Sequence, residues 1–147
     1  MSSETCDAEE DDSRFEIELY VIHPTLRPDD ISRALGLDAY FSKAVGAPRT
    51  TPSGRPLSGT YADTQWRHTA PRIVQDQAFA DQLAGFVESL KACNEALAML
   101  RAGGGRTVLV VQCLGDYLAD EIAHATLSRI VELGLSLGIE CFGGAQA

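Results

Sequence analysis

Phe15, Ile17, Leu19 and Val21 are apolar, and Glu16, Glu18 and Tyr20 alternate with them. This period of two predicts a strand with one buried face. Just beyond it, "LRPDDISRALGL" carries the marks of a short helix. Pro28 has the fixed φ suited to a first helical position, and Asp29 and Asp30 put negative charge at the positive end of the helix dipole. Ile31 and Leu35 share a face, Gly36 can turn left-handed after the last turn, and Leu37 is placed to close it with an apolar contact.

The pattern then lapses. Residues 38–59 hold Pro48, Pro52 and Pro56 with Gly46, Gly54 and Gly59, and read as a loop pinned at its start by Tyr40, Phe41 and Val45. A loop of that length inside a compact domain marks function, disorder or an unrecognised element. Tyr61 to His68 predicts a second strand, with Ala62, Thr64, Trp66 and His68 on one side.

Residues 76–102 predict one long amphipathic helix. Phe79, Leu83, Phe86, Val87, Leu90, Cys93, Leu97 and Leu100 recur at steps of three and four, Asp76 suits the cap, and Gly103 to Gly105 stop it. "TVLVVQCL", 107–114, is a nearly continuous apolar strand of the kind found inside a sheet. Asp120 is placed to cap a further helix bearing Ile122, Leu127, Ile130 and Val131, ended by Gly134. Leu135, Leu137, Ile139 and Cys141 then alternate as a last strand. The order βαβαβαβ predicts an α/β fold of the α+β type: a two-layer sandwich, with about four strands and the helices on one face.

Length and composition fit this reading. A chain of 147 residues, 45% hydrophobic and 22% charged, is one globular domain large enough to fold without staples. No apolar run approaches the ~20 residues of a membrane span. The net charge of −9 is uneven, since Glu4, Asp7, Glu9, Glu10, Asp11 and Asp12 lie in residues 1–13 with no Lys or Arg among them. That segment is expected to be a disordered acidic tail, leaving 14–147 as the domain. It has neither the basic start nor the apolar middle of a signal peptide, so a cytoplasmic protein is expected.

Chemistry is sparse. Cys6, Cys93, Cys113 and Cys141 form no CxxC pair, and the last three fall in apolar runs where a buried, inert thiol is expected. His23, His68 and His124 pair with no other ligand at helical or strand spacing, so neither a metal site nor a cofactor is expected. "GLSLG", 134–138, has the letters of a hydrolase nucleophile elbow, but Ser136 follows a helix and precedes a strand, the reverse of that motif. "AGGGRT", 102–107, likewise follows a helix, where carbonyls disfavour phosphate. Asp29 and Asp30 are adjacent on a helix and point about 100° apart, which cannot flank one substrate bond. No catalytic residue is expected.

With these elements in place, the chain resembles the bacterial family catalogued as domain of unknown function 4279. The resemblance is carried by "LRPDDISRALGL", "GAPRTTPSG", "TQWRHT" and "LSRIVELGLSLGIECF", and runs over roughly residues 15–142. The chain departs from the family's pattern after the first helix, where Leu37 is followed by Asp38, Ala39 and Tyr40 rather than a proline. The resemblance implies an α/β domain and supplies no activity, substrate or catalytic residue.

One feature points outward. Lys43, Arg49, Arg55, Arg67 and Arg72 face only Asp63 within 43–72, a basic stretch in an acidic protein. Arg49, Arg55, Trp66, Arg67 and His68 are the candidate binding residues, with guanidinium groups for carboxylate or phosphate and Trp66 or Tyr61 as an aromatic anchor. The overall negative field disfavours nucleic acid. The expected function is therefore a non-enzymatic protein-binding module, of the immunity or interaction type, whose partner is another bacterial protein. The alternative is an enzyme or small-molecule binder with a pocket between the sheet and the 38–59 loop, using Asp63, Arg67 and His68.

Overall fold

A computed structural model of the chain describes residues 14–72 and 77–142. The expected disorder of residues 1–13 and the capping role of Asp76 fall outside the described residues. The elements are β1 (Phe15–His23), α1 (Pro28–Leu35), β2 (Phe41–Lys43), β3 (Pro48–Thr50), β4 (Pro56–Thr60), β5 (Thr64–Thr69), α2 (Phe79–Ser89), a 3-10 turn (Leu90–Cys93), α3 (Asn94–Ala102), β6 (Arg106–Cys113), α4 (His124–Glu132) and β7 (Ser136–Cys141).

The protein is mixed α/β, with a five-stranded sheet in the order β2-β5-β1-β6-β7 and a separate β3-β4 ribbon. Neighbours are antiparallel except β6 and β7, which run parallel and are joined through α4. The sheet thus has five strands rather than about four, and the element order is not βαβαβαβ. The difference lies in 38–60, which holds β2, β3 and β4. β2 and β3 have three residues each, too short for alternation to register, and β4 is exposed at every residue, so no buried face wrote a pattern into it.

The core forms where the alternation of β1 predicts. Ile17, Leu19 and Val21 are fully buried and join Leu109 and Val111 of β6, Trp66 of β5, Ile31 of α1, and Leu83, Leu97 and Leu100 of α2 and α3 in one cluster. α1 is built as its sequence predicts. Pro28 opens it, the Asp30 carboxylate accepts the Arg27 amide at 3.3 Å, and Gly36 turns left-handed at φ 67°. The Gly36 and Leu37 amides both donate to the Ser32 carbonyl, and Leu37 packs on the core. The turn before it is tied by His23, whose Nδ1 accepts the Thr25 and Leu26 amides at 3.1 and 3.0 Å.

The single helix expected over 76–102 is broken at the 3-10 turn, with no proline or glycine to mark it. Residues three apart align on a 3-10 turn, so Leu90 and Cys93 both reach the core, where the Cys93 thiol donates to the Leu35 carbonyl at 3.4 Å. Asp120 also departs from expectation. It does not cap the helix that follows it, which starts at His124; its Oδ2 accepts the Ala80 amide of α2 at 2.9 Å. A cap needs a carboxylate near an orphan amide, and the tertiary fold supplies one from forty positions away in the chain.

Candidate functional site

The candidate recognition element is the β3-β4 ribbon, which lies outside the main sheet. Its tip is closed by the Thr51 side chain, which accepts the Arg55 amide at 3.0 Å, and by Gly54, whose φ of 87° suits glycine. Its base is fixed by Tyr61. The phenol accepts the Thr50 amide at 3.2 Å, the Tyr61 backbone pairs with Gly46 and Ala47, and Lys43 sits 5.3 Å from the ring centre. The Thr50 amide, helped by Lys43, lowers the Tyr61 phenol to about 8. A two-stranded ribbon is marginal by itself, and these bonds at both ends hold its shape.

Arg49 and Arg55 both lie on this arm. The Arg49 guanidinium donates to the Ser58 carbonyl at 3.4 Å, within the ribbon. Arg55 makes no ion pair among the described residues, and Leu57 is exposed beside it. The arm carries no acidic residue. It therefore presents positive charge, the Leu57 side chain and three exposed prolines on a backbone held at both ends.

The remaining cations of the basic stretch are engaged internally. Arg72 lies over the Phe15 ring at 4.7 Å, and Arg67 is the hub of a polar cluster on the sheet face opposite the core. Arg67 stacks 4.2 Å from the Tyr20 ring centre and donates to Glu18 at 3.4 Å and to Glu140 at 3.0 Å. Glu18 is 1% exposed, and the Tyr40 hydroxyl donates to it at 2.6 Å. Gln112 donates to the other oxygen of Glu140 at 3.2 Å.

The protonation pattern of the cluster follows from these contacts. Burial, then the hydrogen bond to the Glu18 carboxylate, pushes the Tyr40 phenol up to about 12, which keeps it a donor. Partial burial opposes ionisation of Glu140, but the bonds from Arg67 and Gln112 prevail and hold its carboxyl below the ordinary range. Each charge has a partner, so the cluster offers no unpaired base or nucleophile. Its effect is mechanical: it ties the residue before β2 to β5, β1, β6 and β7 across the whole sheet.

The five candidate binding residues do not converge. Trp66 is fully buried on the core face, with its indole N–H donating to the Ser32 hydroxyl at 2.9 Å. His68, on the same face, stacks between Trp66 and Phe86 and bonds through Nδ1 to the Asp38 carbonyl at 2.6 Å. Arg67 lies between them in sequence and so points to the opposite face. Arg67 and His68 therefore cannot line one pocket with Asp63, and of the five only Arg49 and Arg55 lie on the exposed arm. Sequence reasoning missed Glu18, Tyr40 and Glu140. The available signal was a glutamate flanked by buried strand residues, which needs a paired cation if it is to stay in a sheet interior.

No group of three His, Cys, Asp or Glu side chains able to hold a metal ion occurs among the described residues. No helix among them is long and apolar enough to cross a membrane. The chain matches no family model, no curated protein and no solved structure.

Proposed function

We propose that the protein is a non-enzymatic binding module that recognises an acidic surface of another protein through the β3-β4 arm. The observation that carries this reading is the arm itself: β4 is exposed along its whole length, pairs only with β3, and is fixed at tip and base. The ribbon buries no face within its own chain, and an arm held at tip and base by hydrogen bonds loses less entropy on binding than a free loop would. Arg49 and Arg55 select carboxylates, and Leu57 supplies the apolar contact. The pocket-based alternative is weaker, because the polar cluster nearest the 38–59 segment is internally paired. A cytoplasmic setting, an immunity-like role and the family resemblance belong to the same proposal.

The test is the double variant Arg49→Glu/Arg55→Glu. Exposed loop substitutions typically change stability by no more than ~0.5 kcal/mol, so the melting temperature should hold, while a partner captured by the parent chain is lost and its reconstituted binding weakens with salt. Equal binding of the purified partner by both chains removes the arm as the recognition element. Unfolding of the double variant shows instead that the arginines are structural. Sedimentation of the parent chain at low salt separates a foreign partner from a second copy of this acidic chain.

A further inference from the structure

Cys113 and Cys141 are the last residues of β6 and β7, and the parallel register sets them opposite one another. Residues paired across neighbouring strands have Cα atoms about 4.8 Å apart, inside the ~4.4–6.8 Å that a disulfide spans. Partners in a parallel ladder share a face, so both side chains point to the same side. There they line an apolar groove of about 390 Å³ with Phe79, Val111, Leu118, Ile122 and Ile139. This groove lies by β7, at the opposite edge of the sheet from β2 and the arm.

Both thiols are free, Cys141 exposed and Cys113 half-buried, which corrects the expectation that all the strand cysteines are core residues. The alternation sets Leu137, Ile139 and Cys141 on the inward side, but β7 is an edge strand and that side is left exposed. Burial first, and the adjoining Cys141 thiol second, push the Cys113 thiol up. Cys93 stands apart, buried and bonded to Leu35.

We propose that Cys113 and Cys141 form a reversible thiol–disulfide exchange site that takes low-molecular-weight disulfides. The exposed Cys141 thiolate attacks one sulfur of R–S–S–R; that S–S bond breaks, R–S⁻ leaves and takes up the proton Cys141 gave up. A Cys141–S–S–R mixed disulfide remains, with the groove beside it to receive the R group. Cys113, held alongside by the strand register, loses its proton and attacks the Cys141 sulfur. The mixed bond breaks, a Cys113–Cys141 bond forms, and the second R–S⁻ leaves with that proton. Two protein thiols are oxidised by two electrons, and one small disulfide is reduced to two thiols. Two equivalents of a small thiol run the sequence backwards. Access sets the order, because the attacking thiolate must meet the disulfide in solvent and the resolving one need not.

The test uses the full chain carrying Cys6→Ser, equilibrated in mixtures of oxidised and reduced glutathione, quenched in acid, alkylated, digested and mapped by mass spectrometry. As the oxidised share rises, a peptide pair linked through Cys113 and Cys141 should appear, with Cys93 still reduced, and it should vanish on return to reduced glutathione. In the Cys113→Ser variant the reaction should stop at a glutathione adduct on Cys141. The proposal is overturned if, with both cysteines present, Cys141 accumulates the adduct without the link. A link to Cys93 or to a second chain, or no reaction at either thiol, overturns it equally. Because mapping of the chain with both cysteines decides the outcome, it does not depend on how well the variant folds.

Discussion

The Arg67 guanidinium stands 3.4 Å from the carboxylate of Glu18, a side chain 1% exposed in the middle strand of the sheet. Removing one member of such a pair leaves the other buried without compensation, which typically costs ~3–5 kcal/mol. Arg67→Met should therefore destabilise strongly, whereas Glu18→Gln, which keeps an acceptor for Tyr40, should cost less. Urea melts of the two single variants and the double variant measure the coupling. A double variant as unstable as the sum of the singles would show that the pair does not interact.

The tyrosines should titrate apart. Tyr61 is lowered to about 8, because its oxygen accepts the Thr50 amide, and Tyr40 is raised to about 12 by burial and by Glu18. For Tyr40 the folded value exceeds the unfolded 10, so its contribution to stability is complete below pH 10 and is lost as pH rises through 12. For Tyr61 the sign reverses: the contribution is present above pH 10 and is lost as pH falls through 8. An absorbance titration of phenolate should show one early step that Tyr61→Phe abolishes. Loss of that step in Tyr40→Phe instead would invert the assignment.

Trp66 is the only tryptophan and is fully buried, so fluorescence reports it alone. Trp66→Ala should cost ~3–5 kcal/mol, as large-to-small core changes do. Ser32→Ala should cost ~1–3 kcal/mol by orphaning the indole N–H. At this size each kcal/mol shifts the melting temperature by about 2–4 °C. Emission of the folded protein near that of free tryptophan in water would contradict the burial.

His23 is 2% exposed and accepts two amides of the turn before α1. His23→Ala should cost ~1–3 kcal/mol, since both amides lose their acceptor. Asparagine carries an oxygen close to the position of Nδ1 and should recover part of that loss. Equal destabilisation by the two variants would show that ring packing against Gly103 and Gly105, whose added Cβ atoms would lie 2.9 and 2.8 Å from the ring, dominates over the bonds.

Asp120 should matter more to α2 than to its own neighbours. Its carboxyl is held below the ordinary range by the Ala80 amide and then by that of Glu121. The contribution is therefore present above the unfolded value and lost as pH falls through the folded one. Hydrogen exchange of Asp120→Ala should show faster exchange in the first turn of α2, with α4 unchanged. Loosening confined to α4 would restore the local capping role that its position in the chain suggests.

By itself the sequence determined the elements whose signals are local or periodic. β1, β6 and β7 follow from alternation or apolar continuity, and α1 follows from Pro28, Asp30 and Gly36, because such signals act between residues a few positions apart. The same local rules identified Arg49 and Arg55 as exposed cations in a segment rich in proline and glycine. Tertiary structure decided the rest. The β3-β4 arm buries no face and so leaves no pattern, and the break at Leu90 has no proline or glycine to announce it. Asp120 caps a helix remote in the chain. Glu18, Tyr40, Arg67 and Glu140 meet only because β5, β1, β6 and β7 lie side by side, and Cys113 meets Cys141 only through the register of two parallel strands. A hydrogen bond or thiol pair depends on distances of a few ångströms. Sequence fixes such distances between near neighbours along the chain, and only the assembled sheet fixes them between strands.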